Sequence, residues 1–171
     1  MTDQKEQNSV SVAFVKEESA EAAAEIQLPE RPISPNPNLV TEAGLKQLET
    51  QLRDAQAALE VAGAIEDVNE RRRRSAIPAR DARYFAERLR TAEPMPDPDN
   101  TETVAFGHVV TFSRDDGRVQ TYRIVGEDEA DPAAGSISYV SPVARALMGK
   151  AVGDVAALGE REIEITEIAV A

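Results

Sequence analysis

The sequence predicts an α+β protein in which an antiparallel helical hairpin (a coiled coil) precedes a β-rich domain with one short helix. Two seams of apolar residues with alternating gaps of three and four predict the helices. Short segments rich in β-branched residues, separated by turn residues, predict the sheet. Residues 94–101 form a boundary between the two parts, because three prolines in this segment cannot continue a helix.

The hairpin is expected within residues 39–93. Thr41 is the predicted N-cap of its first helix. The first seam comprises Leu45, Leu48, Leu52, Ala55, Leu59 and Ala62, and the second comprises Ala82, Phe85, Leu89 and Ala92. Neither apolar seam is stable when exposed to water, so packing one against the other gives an antiparallel pair.

The turn between the helices is expected near Glu66 to Glu70 if the two arms have similar lengths. Gly63 and Asn69 are the weak helix formers nearby. Pro78 is expected either to kink the second arm or to mark its late start. The alternative position for the turn is Ser75 to Pro78, which gives arms of very unequal length.

The β-rich domain is expected within residues 102–171. Its predicted strands are 109–112, 119–125, 136–139 and 161–170, and the first two are joined by the turn sequence Arg-Asp-Asp-Gly. Ser141 and Pro142 predict the start of a helix that ends just before Gly149. The apolar pattern of the last strand changes register, which predicts a β-bulge near Thr166.

Composition and charge restrict the function. The net charge of -12 opposes unaided binding to nucleic acid, so no stand-alone DNA binding is expected. The absence of cysteine excludes disulfides and thiolate metal sites. The start of the chain lacks the pattern of a secretory signal, and no apolar run is long enough for a membrane helix. A soluble cytoplasmic protein is expected, with residues 1–38 as a disordered proline-rich extension.

Three segments of the C-terminal half carry a resemblance to a known family: 121–126 (TYRIVG), 128–132 (DEADP) and 141–147 (SPVARAL). Gly-Lys at 149–150 and Val-Gly-Asp at 152–154 follow at that family's spacing. These segments resemble the Gre family of bacterial transcription elongation factors, GreA and GreB. The helical half resembles the family more weakly, at 39–52 and 90–93.

The resemblance implies a coiled coil joined to an FKBP-like domain, and bacterial RNA polymerase as the partner. In the family, the globular domain grips the rim of the polymerase secondary channel and the coiled coil enters it. Two acidic residues at the tip then help to hold Mg²⁺ and water at the polymerase active site, where backtracked RNA is cleaved. We therefore expect no stand-alone enzyme activity, no cofactor in isolation, and a monomer.

Asp67 and Glu70 have the spacing of the family's acidic tip pair, which makes them the candidate catalytic and metal-binding residues within the complex. Placing them at the tip shortens both arms by about one heptad, or ~10 Å. Glu66 replaces the family's glycine, and the tip-adjacent Arg71, Arg72, Arg73 and Arg74 replace its Asn-Ala-Glu-Tyr. These departures leave open an alternative, a channel-binding regulator that does not support cleavage and acts as an inhibitor or competitor.

Other residues receive predictions of their own. Ser141, Pro142 and Arg145 are the candidate polymerase-binding residues, and Ser141 and Pro142 are also expected to cap the helix. His108 is expected at the surface or packed on a strand. An acidic cluster is expected to be a solvated loop, with cation binding as the alternative, at Asp128, Glu129 and Asp131.

Overall fold

The computed structural model describes residues 28–171, which divide into two units. The hairpin unit contains residues 28–32 and Leu52–Tyr84, and the sheet unit contains Ile33–Gln51 and Phe85–Ala171. The elements are, in chain order, β1 (Asn38–Val40), α1 (Glu42–Gly63), α2 (Val68–Arg90), β2 (Ala92–Pro94), β3 (Val109–Arg114), β4 (Val119–Val125), a 3-10 helix (Pro132–Ala134), β5 (Ser136–Ser138), α3 (Pro142–Leu147), β6 (Val155–Leu158) and β7 (Arg161–Ala169).

Two long helices followed by a sheet with one short helix confirm the predicted α+β class. Thr41 is the N-cap of α1, since its hydroxyl accepts a hydrogen bond from the Gly44 N–H at 3.0 Å. Every seam residue is at least half-buried. The most buried of them are Leu48, Ala55, Ala62 and Phe85.

The turn between the helices lies at residues 64–67, at the N-terminal edge of the predicted position. The alternative turn at Ser75 to Pro78 is wrong, because α2 is helical throughout this segment. A late start of the second helix is also wrong, since Pro78 lies inside α2. Within residues 28–171, neither long helix has an apolar stretch that could cross a membrane.

The sheet of the C-terminal domain has five strands in the order β5-β4-β3-β7-β6. Its neighbours are antiparallel except for β4 and β5, which are parallel. Strand β6 was not predicted as a separate strand, because Val-Ala-Ala-Leu is short and only weakly β-forming. Gly117 adopts φ +78° in the turn between β3 and β4, a conformation that few other residues tolerate.

The predicted β-bulge is present at Thr166. Thr111 pairs with Glu167 and Phe112 with Ile165, so Thr166 is the extra residue of β7. The bulge restores the apolar alternation, which keeps both halves of β7 facing the core. That core comprises Val104, Val110, Phe112, Ile124, Ile137, Ala144, Leu147, Ala156, Ile163, Ile165 and Ile168.

A two-stranded parallel ribbon, β1 with β2, lies at the base of the hairpin and was not predicted. Asn38, assigned to the extension by the sequence, opens β1 and pairs with Ala92. Residues 28–37 contain no helix or strand, and the part of that prediction that concerns residues 1–27 lies outside the described residues. Strands of three residues whose partners are more than fifty positions away leave no local pattern to detect.

Candidate functional site

The interhelical turn places Asp67 and Glu70 at the start of α2. The Asp67 Oδ1 atom accepts a hydrogen bond from the Glu70 N–H at 2.7 Å, and the Asp67 carbonyl oxygen accepts one from Arg71 N–H at 2.9 Å. Asp67 is therefore the N-cap of α2. Asp at the cap with Glu three residues later is also a pattern that begins helices in general.

The Glu70 carboxylate is paired with arginines of the next turn. Its Oε1 atom accepts a hydrogen bond from Arg74 Nε at 2.8 Å, and its Oε2 atom lies 3.6 Å from an Arg73 guanidinium nitrogen. The hydrogen bond from Arg74 is the main reason that the pKa of Glu70 is lowered. Arg71 donates to the Ile65 carbonyl oxygen at 2.9 Å, while the Arg72 side chain is exposed.

This pairing limits, but does not block, what the two carboxylates can do. Ion pairs between exposed side chains are weak in water, so a cation can displace the arginines. Across residues 28–171, no three acidic or histidine side chains converge as a metal site. Asp67 and Glu70 offer two carboxylates at one exposed turn, and carboxylate oxygens are ligands that Mg²⁺ accepts.

The second group of candidate residues lies on α3 in the sheet unit. The Ser141 hydroxyl accepts a hydrogen bond from the Ala144 N–H at 3.2 Å and Pro142 occupies the first helical position, which confirms the predicted cap. Pro142 is exposed, and so is Arg145 one turn further along α3. The structure places these residues on one element, whereas Asp67, Glu70 and Arg71–Arg74 belong to the hairpin unit.

The prediction of a solvated loop is wrong for Asp128 and Glu129, which are half-buried, whereas Asp131 is exposed as predicted. Asp128 accepts a hydrogen bond from Arg88 Nε at 2.5 Å, and the Arg88 side chain is only 2% exposed. Glu129 accepts hydrogen bonds from both the N–H and the hydroxyl of Thr41. Asp131 caps the 3-10 helix. All three carboxylates accept hydrogen bonds from the protein itself, which also argues against cation binding at this cluster.

His108 is buried rather than at the surface. Its Nδ1 atom accepts a hydrogen bond from the Ala105 N–H at 2.9 Å, and its Nε2 atom lies 2.7 Å from the Asn100 carbonyl oxygen. A neutral ring with the proton on Nε2 satisfies both contacts. His108 therefore fixes the loop before β3, and it has no place in either candidate site.

Two residues with central contacts were missed by sequence reasoning, Arg88 and Gly44. Arg88 occupies a buried position on α2 where an apolar residue is usual. Gly44 lies in the first turn of α1, where a Cβ atom would be 2.0 Å from the Glu129 Cδ atom. A glycine at a helical position costs stability, so its presence at position 44 could have indicated that another part of the chain packs closely against this helix.

These features define an α+β protein whose helical hairpin has an acidic and arginine-rich turn. Residues 98–169 match the family model described as transcription elongation factor, GreA/GreB, C-terminal. GreA of Bacillus licheniformis is 33% identical over 151 residues, which cover 75% of this chain and 94% of that relative. The chain belongs to the GreA/GreB family of transcription elongation factors.

Other relatives align over a smaller part. GreB of Neisseria meningitidis is 43% identical over 96 residues, covering 52% of this chain and 58% of that protein. GreA of Alkalilimnicola ehrlichii is 50% identical over 70 residues, so the match spans 38% of this chain and 44% of the relative. The crystal structure of GreA factor homolog 1 (Gfh1) from Thermus thermophilus aligns with 78% of this chain and 99% of its own, at 24% identity and a TM-score of 0.37.

Proposed function

We propose that this protein binds bacterial RNA polymerase as an elongation factor and stimulates the polymerase to cleave backtracked RNA. The single observation that carries the proposal is the position of Asp67 and Glu70, within one turn of chain at an exposed interhelical turn. Family membership supplies the context in which two such carboxylates have a role.

In the proposed mechanism the sheet unit binds the polymerase and the hairpin unit carries the acidic pair to its active site. The exposed α3 surface around Pro142 and Arg145 would bind the polymerase rim, with Ser141 holding the start of that helix in shape. The hairpin would enter the secondary channel. Asp67 and Glu70 would then offer oxygen ligands near the active site, where Mg²⁺ can activate water for hydrolysis. No chemistry is assigned to the protein alone.

A second candidate is a channel-binding regulator without cleavage support, which would inhibit or compete with cleavage-active relatives. The observation that favours it is the contact of Glu70 with Arg74 at 2.8 Å, because a neutralised carboxylate is a weaker metal ligand.

The deciding experiment measures RNA cleavage in a backtracked polymerase complex with Mg²⁺, using the wild type, Asp67→Asn and Glu70→Gln. Asparagine caps helices about as well as aspartate, so Asp67→Asn removes charge while keeping the start of α2. We expect the wild type to accelerate cleavage, and each variant to lower the stimulation by about 10-fold or more, because even the loss of a residue that only supports a metal ligand costs about 10- to 100-fold.

Glu60→Gln is the matched control, since Glu60 is an exposed acidic residue of the same hairpin unit. It should leave stimulation unchanged. Full stimulation by both turn variants would contradict the role of Asp67 and Glu70. Polymerase binding with no stimulation by the wild type would support the second candidate, and Arg74→Gln should then restore some cleavage by releasing Glu70.

A further inference from the structure

The loop that follows β4, residues 126–129, contacts the base of both hairpin helices, and we call it the base loop. Its residues Asp128 and Glu129 point to different helices. All the residues involved belong to the sheet unit, which includes the first turns of α1 and the end of α2. One short loop therefore holds the place where the chain enters the hairpin and the place where it leaves.

The contact with α1 is made by Glu129 at the helix N-terminus. Its Oε1 atom accepts hydrogen bonds from the Thr41 N–H at 2.9 Å and the Gly126 N–H at 3.3 Å, and its Oε2 atom bonds the Thr41 hydroxyl. A carboxylate is stabilised here by the partial positive charge of the helix N-terminus. Glu129 thus completes the cap that Thr41 begins.

Two glycines make room for this contact. A Cβ atom on Gly44 would lie 2.0 Å from the Glu129 carboxyl carbon, and one on Gly126 would lie 2.4 Å from the Leu39 carbonyl oxygen. Neither glycine has a positive φ, so backbone conformation does not require them. Their lack of a side chain is explained by close approaches, of Glu129 to α1 at Gly44 and of the base loop to β1 at Gly126.

The contact with α2 is made through Arg88, two residues before the helix ends. Asp128 accepts a hydrogen bond from the Arg88 Nε atom. The Asn38 side chain donates a hydrogen bond to the Arg88 carbonyl oxygen at 2.6 Å. The Arg88 side chain is 2% exposed and that of Asp128 is 11% exposed. Water therefore competes poorly for this ion pair, and its geometry is held more tightly than that of a surface pair.

We propose that Glu129 and Asp128 are positioning residues, which fix the direction of the hairpin base on the sheet domain so that the hairpin can act on the polymerase. This inference rests on the proposed function. It goes beyond that function because it gives a role to two carboxylates that touch neither the polymerase nor the RNA. Their role is to keep the hairpin correctly directed once the sheet domain is bound to the polymerase.

The first test measures the geometry of the protein alone. The chain contains no cysteine, so Glu49→Cys and Glu162→Cys, both exposed and both in the sheet unit, allow two spin labels to be attached. Electron spin resonance should show one narrow distance distribution in this background. Adding Glu129→Ala should make it about twofold wider, because the base of α1 is then free to move.

Two further variants keep this test decisive. Glu129→Gln preserves the size of the side chain and one acceptor, so it should give an intermediate width, and it replaces Glu129→Ala should that protein fail to fold. Glu167→Gln, which neutralises an exposed residue of β7, is the control and should leave the distribution unchanged. Equal widths in the wild type and both Glu129 variants would overturn the proposal.

The second test compares polymerase affinity with the activity that the wild type shows on backtracked complexes, whether stimulation or inhibition. For Glu129→Ala we expect the activity to fall about tenfold or more, because small misplacements of an acting group have large effects, while affinity changes far less. Parallel losses of affinity and activity would contradict a positioning role. A wild type that does not bind polymerase would refute the proposed function, whereas the spin-label result would still decide whether the base loop holds the hairpin.

Discussion

At the scale of single residues, the tightest constraint in the sheet unit lies between Gly44 of α1 and Glu129 of the base loop. Replacing glycine with alanine inside a helix normally stabilises a protein by about 0.5–1 kcal/mol. At Gly44 the new methyl group would displace the Glu129 carboxylate, whose hydrogen bonds to Thr41 would be lost. Charge-assisted hydrogen bonds contribute roughly 1.5–3 kcal/mol each, so the loss outweighs the gain.

We therefore expect Gly44→Ala to lower the free energy of unfolding by about 1–3 kcal/mol in urea titrations. The same change made in a Glu129→Ala background should instead stabilise the protein. Gly63→Ala, at the last residue of α1, is the control, because no atom lies within 4 Å of its Cβ position, and it should leave the stability unchanged or raise it by less than about 1 kcal/mol. A stabilising effect of Gly44→Ala in the wild type would contradict the close contact.

The buried pair of Arg88 and Asp128 gives a second prediction at this scale. Asp128→Ala leaves the guanidinium of Arg88 buried without its 2.5 Å partner, which should cost about 3–5 kcal/mol of unfolding free energy. Replacing both residues, as in Arg88→Met with Asp128→Leu, should cost much less, because no buried charge is then left unpaired. Thermal or urea unfolding measures the free energy of unfolding of both variants. Equal losses in the single and the double variant would argue against a buried ion pair.

At the scale of elements, the ionised carboxylate of Glu70 pairs with Arg74 one turn further along α2. The pKa of this carboxyl is lowered from its ordinary 4.5, chiefly by the hydrogen bond from Arg74. A lowered pKa in the folded protein means that the charged contact stabilises α2 above the ordinary pKa. That contribution is lost as the pH falls through the lower, folded value.

The corresponding prediction is that Arg74→Gln raises the pKa of Glu70 toward 4.5. Carboxyl-carbon NMR titration of Glu70 measures the shift directly. Arg72→Gln is the control, because Arg72 is a neighbouring exposed arginine without an ion pair to Glu70 among the described contacts. An unchanged pKa in Arg74→Gln would show that the pair does not form in solution.

The short helix α3 supplies another element-scale prediction. Ser141→Ala removes the hydroxyl that accepts from the Ala144 N–H, and should lower the unfolding free energy by about 1 kcal/mol, as for other N-caps. Ser141→Asp should keep the cap and most of the stability. If Ser141 also contacts the polymerase, the aspartate variant should bind it more weakly despite normal stability. Binding equal to the wild type would limit Ser141 to capping.

At the scale of the whole molecule, the net charge of -12 governs which partners can bind. The eight arginines of α2 are an exception to this acidic surface, but several of them are committed to ion pairs with Glu70, Asp81, Glu87 and Asp128. We expect no measurable binding to duplex DNA at physiological salt in fluorescence anisotropy, since the overall field repels phosphates. Tight, salt-sensitive binding would show that the arginines of α2 bind DNA despite the negative net charge of the protein.

Much of the fold was readable from local pattern. The apolar seams, the cap at Thr41, the turn at Gly117 and the bulge at Thr166 each depend on residues close together in the chain, where spacing and side-chain type are sufficient. The acidic pair was singled out by its resemblance to the family's tip spacing, and the structure places it at the turn. Its spacing, however, also describes a helix cap, and spacing alone does not separate the two roles.

The sequence by itself determined the α+β class and the order of the two long helices, the strands β3, β4, β5 and β7, and the helix α3, because those follow from short-range periodicity. Only the tertiary structure decided that Asp128 and Glu129 are bound at the hairpin base, that β1 pairs with β2, and that Glu70 is held by Arg74. The first two contacts join residues forty or more positions apart, and a carboxylate looks the same in sequence whether water or a buried arginine surrounds it.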